Sequence, residues 1–259
     1  MLGVPSDENS SFLKGAALAP KHIRDALHSG SANMMTELGV DLGSSSGWTE
    51  LGDLQLGTGD QAFARIEATI SHMLASGVRV LALGGDHSIT YPIVRAYART
   101  FHPLTVLQLD AHPDTYDEFD GSRLSHACPF ARIMEEGLGV RLVQLGIRTI
   151  NPHQRQQAER FDLTMVEMKD WSPGNLPRLD GPIYLSLDLD ALDPAFAPAV
   201  SHHEPGGFTT RDVLHIIQGL PEPVVGADIV ELNPTRDLNG VTAMVAAKLC
   251  KELVGRMLF

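Results

Sequence analysis

Cysteine is nearly missing from this 259-residue chain, which carries only Cys128 and Cys250. Two cysteines do not make a disulfide framework, so a reducing, cytoplasmic home is expected. Aromatic residues amount to 6%, unremarkable for a soluble enzyme. No apolar run approaches the length needed to cross a bilayer. The segment Met1-Leu2-Gly3-Val4-Pro5-Ser6-Asp7-Glu8 has neither the basic flank nor the apolar stretch of a secretory signal. Positive charge is in deficit, with 20 Lys and Arg against 32 Asp and Glu and a net charge of −12. That balance argues against nucleic acid or an anionic membrane surface as partner. Linkers, low-complexity tracts, internal repeats and single-sign charge blocks are absent as well. The expectation is one domain over residues 1–259, with 43% hydrophobic residues to build its core.

Against these absences stand strand-length apolar runs at 78–83, 104–109, 141–145, 183–187 and 224–230. Their near-continuous apolar character fits parallel strands buried on both faces. Amphipathic helical patterns lie between them. Residues 60–76 place Ile66, Ile70, Met73 and Leu74 on one face, with Asp60 read as N-cap and Gly77 as stop. Residues 209–220 open on Thr209 with Asp212 three positions on, a capping-box spacing, and repeat Val213, Ile216, Ile217 and Leu220. Residues 240–257 repeat Val245, Leu249, Leu253 and Met257. This alternation predicts an α/β fold, a three-layer α-β-α sandwich around a mainly parallel sheet.

Three polar clusters follow directly on these apolar runs: Gly84-Gly85-Asp86-His87, Asp110-Ala111-His112-Pro113-Asp114 and Asp188-Leu189-Asp190. In open parallel sheets ligands bind beyond the carboxyl ends of the strands, where all three clusters fall. If strand geometry persists through them, the spacing of two turns Asp110, His112 and Asp114 to one face, and Asp188 and Asp190 likewise. Taken singly, each cluster also fits a capped turn or a solvated acidic loop. Together, four carboxylates and two imidazoles suit two divalent ions sharing ligands. A thiolate-free, carboxylate-rich donor set favours Mn²⁺, with Mg²⁺, Co²⁺, Ni²⁺ or Fe²⁺ as substitutes and zinc ranked lower. Two such ions lower the pKa of a shared water, so the expected reaction is hydrolysis by metal-held hydroxide.

These motifs resemble the ureohydrolase family of arginases, agmatinases and other guanidino-acid hydrolases, and the resemblance runs almost end to end. It takes in Gly3-Val4-Pro5, Pro20-Lys21-His22-Ile23-Arg24, Ser125-His126-Ala127-Cys128-Pro129-Phe130, Asp188 to Pro194, and Asp228-Ile229-Val230-Glu231-Leu232-Asn233-Pro234. The stretches Val200 to Gly207 and Gly240 to Met244 are most similar to the plant-type arginase/agmatinase branch. The resemblance implies an arginase-like fold and two Mn²⁺ per subunit. One ion would be held by His87, Asp110, Asp114 and Asp188. The other would be held by His112 and Asp190, with Asp110 and Asp188 shared. It implies that Glu231 holds the substrate guanidinium, a planar cation well matched by a carboxylate. His126 would shuttle a proton to the departing amine, with Asp114 as an alternative route. Read alone, Glu231 also fits a strand-end acid paired with Arg236, and His126 a surface-loop histidine. Asp86 and Asp193 read as supporting residues, His202 and His203 as rim residues, and Cys128 as either redox-sensitive or buried and inert.

The implied substrate is a small guanidino compound, arginine or agmatine foremost, and the implied assembly is a trimer or hexamer. Guanidinobutyrate- or guanidinopropionate-type substrates are the alternative. Agmatinases have Gly-Thr where this chain has Ala127-Cys128, and it shows no obvious acid for an α-amino group. Two rival readings are a single-metal deacetylase of shared architecture and a non-catalytic metal or guanidino-ligand binding protein. The full six-ligand set speaks against the first, and the intact His126 and Glu231 against the second.

Overall fold

A computed structural model describes residues 1–221 and 223–258 of the chain; Glu222 and Phe259, inside the expected 1–259 domain, lie outside that description. Among the described residues seven strands form one sheet: β1 (Leu2–Val4), β2 (Leu81–Gly84), β3 (Leu104–Leu109), β4 (Val140–Ile147), β5 (Thr164–Glu167), β6 (Ile183–Asp188) and β7 (Val224–Val230). Their order is β1-β2-β7-β6-β3-β4-β5, and every pairing is parallel. Every residue of β2, β3, β6 and β7 is buried, as continuous apolar runs require. The expected mainly parallel sheet is thus wholly parallel.

Among the described residues, seven α-helices cover both faces. One layer holds α1 (Ala19–Leu27), α6 (Thr210–Gly219) and α7 (Val241–Met257); the other holds α2 (Asp60–Ala75), α3 (Thr90–Thr100) and α4 (Pro129–Glu135). The seventh, α5 (Pro152–Arg160), precedes β5. The period-two alternation of each strand divides the core between the layers. Leu107, Leu109, Leu185 and Leu187 pack with Ile23, Val213, Ile217 and Leu249 on one side. Val106 and Tyr184 pack with Ile66, Ile70, Ile93 and Phe130 on the other. This is the three-layer sandwich that the sequence predicts.

The capping box of α6 is formed, with Thr209 accepting from the Asp212 amide and Asp212 from that of Thr209. Elsewhere the structure corrects the reading. Gly59, at φ 54°, rather than Asp60, precedes α2, and no side chain caps it. Asp60 instead places a negative charge in the first turn, where it meets the helix dipole. Strand β2 starts at Leu81 rather than at 78, and Val78 is exposed. Strands β1 and β5 are too short to stand out as apolar runs and form through pairing with a neighbour.

Register aligns the strand ends. Leu109 is level with both Leu145 and Leu187, and Asp188 is level with Val230. The next residues along, Asp110 and Glu231, emerge beside Asp188 on one edge. From β3 the chain proceeds outward through β4 and β5, whereas β6 and β7 lie on the opposite side of β3. Such a reversal opens a crevice at the carboxyl ends of the strands.

Candidate metal centre

The first cluster is built by a tight approach of two strand ends. Beyond β2, a Cβ on Gly85 would lie 1.6 Å from the Ser6 carbonyl oxygen, so only glycine fits. The Ser6 carbonyl accepts from the Asp86 amide at 2.8 Å. Asp86 in turn caps the single helical turn His87–Ile89 by accepting from the Ser88 amide, 3.1 Å away. It also accepts from the Asn9 amide at 3.0 Å. Asp86 therefore supports His87 from behind, as expected. Burial, then the nearby Glu231 charge, raises the Asp86 carboxyl to about 6.

The two acidic motifs converge by turning, which corrects the expectation of persistent strand geometry. Strand β3 ends at Leu109, and Asp110 accepts the His112 amide at 2.7 Å. Asp114 then takes up a left-handed backbone at φ 50°. On β6, Asp188 accepts the Asp190 amide at 2.7 Å and caps the turn Leu189–Ala191. The two motifs are tied together by the Ala111 amide, which donates to Asp190 Oδ1 at 3.1 Å.

The result is a convergence of all six predicted side chains. His87 Nδ1 lies 3.1 Å from Asp110 Oδ2, 3.0 Å from Asp114 Oδ2 and 3.3 Å from Asp188 Oδ2. His112 Nδ1 lies 3.0 Å from Asp190 Oδ2 and 3.6 Å from Asp110 Oδ1. Two ligand-competent groups emerge, His87/Asp110/Asp114 and Asp110/His112/Asp190, and Asp110 belongs to both. Asp110 and His87 are fully buried, while the His112 side chain retains 27% exposure and faces the opening.

Tautomer logic tests whether cations fit. Tyr184 and Thr90 donate to Asp228 Oδ2, and Ser186 Oγ donates to Oδ1 at 2.8 Å. Having given its only proton away, Ser186 Oγ accepts from His87 Nε2, 2.9 Å distant. In the neutral ring the Nδ1 lone pair then points into three carboxylates, with no hydrogen-bond partner of its own. Only a positive charge satisfies that arrangement, either a proton or a metal ion.

The titration behaviour agrees. Burial opposes charge on His112, but Asp190 and Asp110 beside it push the imidazole up to about 12. Burial likewise disfavours a charged His87, yet its three carboxylates raise it well above the usual histidine range. Asp114 is pushed up to about 6 by burial and by Asp110. Asp188 is likewise raised well above the usual carboxylate range by burial, Asp190 and Asp110. Clustered carboxylates of this kind need compensation that bound dications supply.

Glu231 and His126 stand beside this cluster. Glu231 Oε1 accepts from the His87 amide and from His126 Nδ1, each at 2.8 Å. Its partner is thus His126 rather than Arg236. His126 Nε2 takes the Ser11 amide at 3.2 Å and lies 2.8 Å from Ser11 Oγ. It is buried, so it is not a surface-loop residue. Burial disfavours its charge, but Glu231 outweighs that and raises it to about 9. His202 closes the rim, its ring 5.3 Å from that of His126 and 6.0 Å from that of His112. His203 instead turns to the Pro198 carbonyl oxygen, 2.6 Å away. Asp193 ties two loops by accepting from the Ala195 and Gly206 amides. Cys128 is fully buried and burial pushes its thiol up to about 12, which favours the buried, inert reading.

Comparison with known proteins decides the family. Residues 1–255 match the arginase family. The chain belongs to the arginase family. Membership makes it a hydrolase acting on the C–N bonds of guanidino groups. Among arginase-family relatives, it is 47% identical to arginase 1, mitochondrial, of Arabidopsis thaliana over 274 residues, covering 99% of this chain and 80% of that protein. It is 38% identical to the human guanidino acid hydrolase, mitochondrial, covering 98% and 76% of the two chains. The solved arginase from Medicago truncatula superposes with a TM-score of 0.93 at 42% identity, covering 99% of this chain and 86% of that one. The plant-type resemblance read from the motifs accords with these relatives.

Two sets of contacts to the cluster escaped sequence reading. Ser11 pins His126, and the glutamines Gln108 and Gln144 meet the Asp110 loop. Ser11 gives no local signal. The glutamines give one, since each stands between apolar residues inside a mostly apolar strand.

Proposed function

We propose that the chain hydrolyses arginine or agmatine to urea and an amine, on a pair of Mn²⁺ ions. His87, Asp110, Asp114 and Asp188 would hold one ion. His112 and Asp190 would hold the other, with Asp110 and Asp188 shared. The observation that carries this reading is the orphaned His87 Nδ1, facing three carboxylate oxygens within 3.3 Å. When bound, such a pair of dications lowers the pKa of water toward neutrality and polarises the electrophile; Co²⁺, Ni²⁺ or Fe²⁺ are possible substitutes.

The chain's own groups supply orientation and protons. Glu231 Oε1 is committed to His87 and His126, and Oε2 has no partner among the described residues. That oxygen accepts guanidinium N–H groups, aligning the planar cation over the carboxylate cluster. Glu231 favours a protonated His126, raised to about 9, in which Nδ1 donates to Glu231 Oε1 and Nε2 donates to Ser11 Oγ, 2.8 Å away, in place of accepting the Ser11 amide. His126 stands within reach of the same cation and hands its proton to the departing amine. Asp114, raised to about 6, is the second proton carrier. Holding guanidinium and cluster together converts a bimolecular encounter into an intramolecular one.

The proposal extends to one catalytic domain over residues 1–259, a trimeric or hexameric assembly, and a cytoplasmic setting. Unpaired, buried Cys128 and Cys250 suit a reducing compartment, whereas the Arabidopsis and human relatives bear mitochondrial names. Among the described residues, no helix is long and apolar enough to cross a membrane.

The test is urea release by the Mn²⁺-loaded protein from L-arginine, agmatine, 4-guanidinobutyrate, 3-guanidinopropionate and guanidine. One substrate far above the others, requiring Mn²⁺ and lost in Asp110→Ala, supports the reading. Preference for a guanidino acid corrects the substrate. No urea from any of them, with Co²⁺ or Ni²⁺ tried in turn, refutes it.

A further inference from the structure

The sheet face that packs against α2, α3 and α4 carries two glutamines, Gln108 standing level with Ser186. Gln108 on β3 and Gln144 on β4 are fully buried and stand level in the parallel register. Their amide orientations are fixed by their surroundings. Gln108 Nε2 meets two acceptors, Asp110 Oδ2 at 2.7 Å and the His112 carbonyl at 3.0 Å. Gln144 Nε2 also meets two, Gln108 Oε1 at 2.6 Å and the Pro113 carbonyl at 2.7 Å. Three hydrogen bonds therefore rise from the sheet into the 110–114 loop, and a fourth couples the two amides.

The loop needs such a hold. It leaves strand geometry after Leu109, and Asp114 adopts φ 50°, so the pleat no longer directs its side chains. Asp110 Oδ1 is fixed by the His112 amide and Oδ2 by Gln108. Each oxygen then has one protein donor and keeps lone-pair capacity for a cation. Gln144 Oε1, meanwhile, is buried without a partner. A hydrocarbon pair at these positions would remove that unsatisfied carbonyl but orphan Asp110 Oδ2 and the His112 and Pro113 carbonyls, so what the amides secure is the placement of the loop.

We propose that Gln108 and Gln144 are positioning residues for the metal centre, templating the 110–114 loop and aiming the shared Asp110 carboxylate. The inference rests on the two-metal reading above. Its content is that metal affinity depends on these amides more strongly than fold stability does.

The experiment titrates metal-free full-length protein with Mn²⁺ by calorimetry, alongside thermal melts without metal. Gln108→Met and Gln144→Met remove the donors at similar volume, and Gln108→His returns an N–H to β3. The expected result is a loss of Mn²⁺ affinity of about 10- to 100-fold in both Met variants. Their metal-free Tm should fall only slightly, by the loss of those hydrogen bonds, and Gln108→His should regain part of the affinity. Unchanged affinity in Gln108→Met overturns the proposal. So does a loss that tracks a lower metal-free Tm and is not recovered by histidine. If the parent protein binds no Mn²⁺, the metal reading itself fails. The crystal structure of metal-free Gln108→Met then judges the positioning separately: Asp110 turned from its place upholds it, and Asp110 unmoved overturns it.

Discussion

Two residues of the site hold backbone conformations that side chains ordinarily avoid, Asp114 at φ 50° and Glu231 at φ 66°. Such strain costs about 1–3 kcal/mol per residue and persists only where the surroundings impose it. At Glu231 the surroundings are the His126 ion pair and the His87 amide. The pair gives a signed pH prediction for the metal-free protein. The folded His126 value, about 9, lies above its ordinary 6.5. The stability it contributes is therefore complete below about 6.5 and lost as pH rises through about 9. Glu231→Gln should lower Tm most at pH 6 and least at pH 10, which melts across that range will check. Asp110→Ala should abolish both Mn²⁺ binding and urea release, since this carboxylate belongs to both ligand groups. Retained two-ion binding in that variant would contradict the shared role.

Elements rather than residues decide how the clusters meet. Motif chemistry named all six converging side chains, because their residue types and strand-end positions are local properties. The manner of convergence was not local. An extended strand predicts a common face through spacing of two, yet both acidic motifs turn at their first aspartate, which accepts an amide two residues on. At the α6 start the local signal sufficed, because a capping box closes within four residues. Thr209→Ala should cost about 1 kcal/mol in chemical denaturation and leave metal binding untouched. Gly85→Ala should be far more disruptive. Its Cβ would meet the Ser6 backbone at 1.6 Å and push apart the β1 and β2 ends that seat His87. Lower Tm together with weaker Mn²⁺ binding is the expected outcome.

Across the whole molecule, a charge of −12 coexists with four carboxylates packed into one crevice. Cations that bind only the folded state stabilise it, by about 2.7 kcal/mol at a hundredfold excess over Kd. Added Mn²⁺ should therefore raise Tm and a chelator should reverse the gain. The ligands must shed protons to bind metal, and burial and Asp110 push the Asp114 carboxyl up to about 6. The Mn²⁺-dependent gain should accordingly shrink as pH falls through that value. A gain independent of pH between 5 and 8 would argue against carboxylate and imidazole ligation.

The amino-acid order by itself determined the layer architecture, since apolar runs and helical periodicity are local consequences of side-chain burial. It also determined the inventory of the site, because carboxylates and imidazoles at strand ends carry their chemistry wherever the chain goes. Only the tertiary structure decided which of them touch. Asp188 meets His87 across 101 positions and His126 meets Glu231 across 105, contacts that parallel register creates and no window of sequence contains. The glutamines belong to that second kind. Each looks like a blemish in its own strand, and becomes a support only when β3 and β4 pair and set one amide against the other.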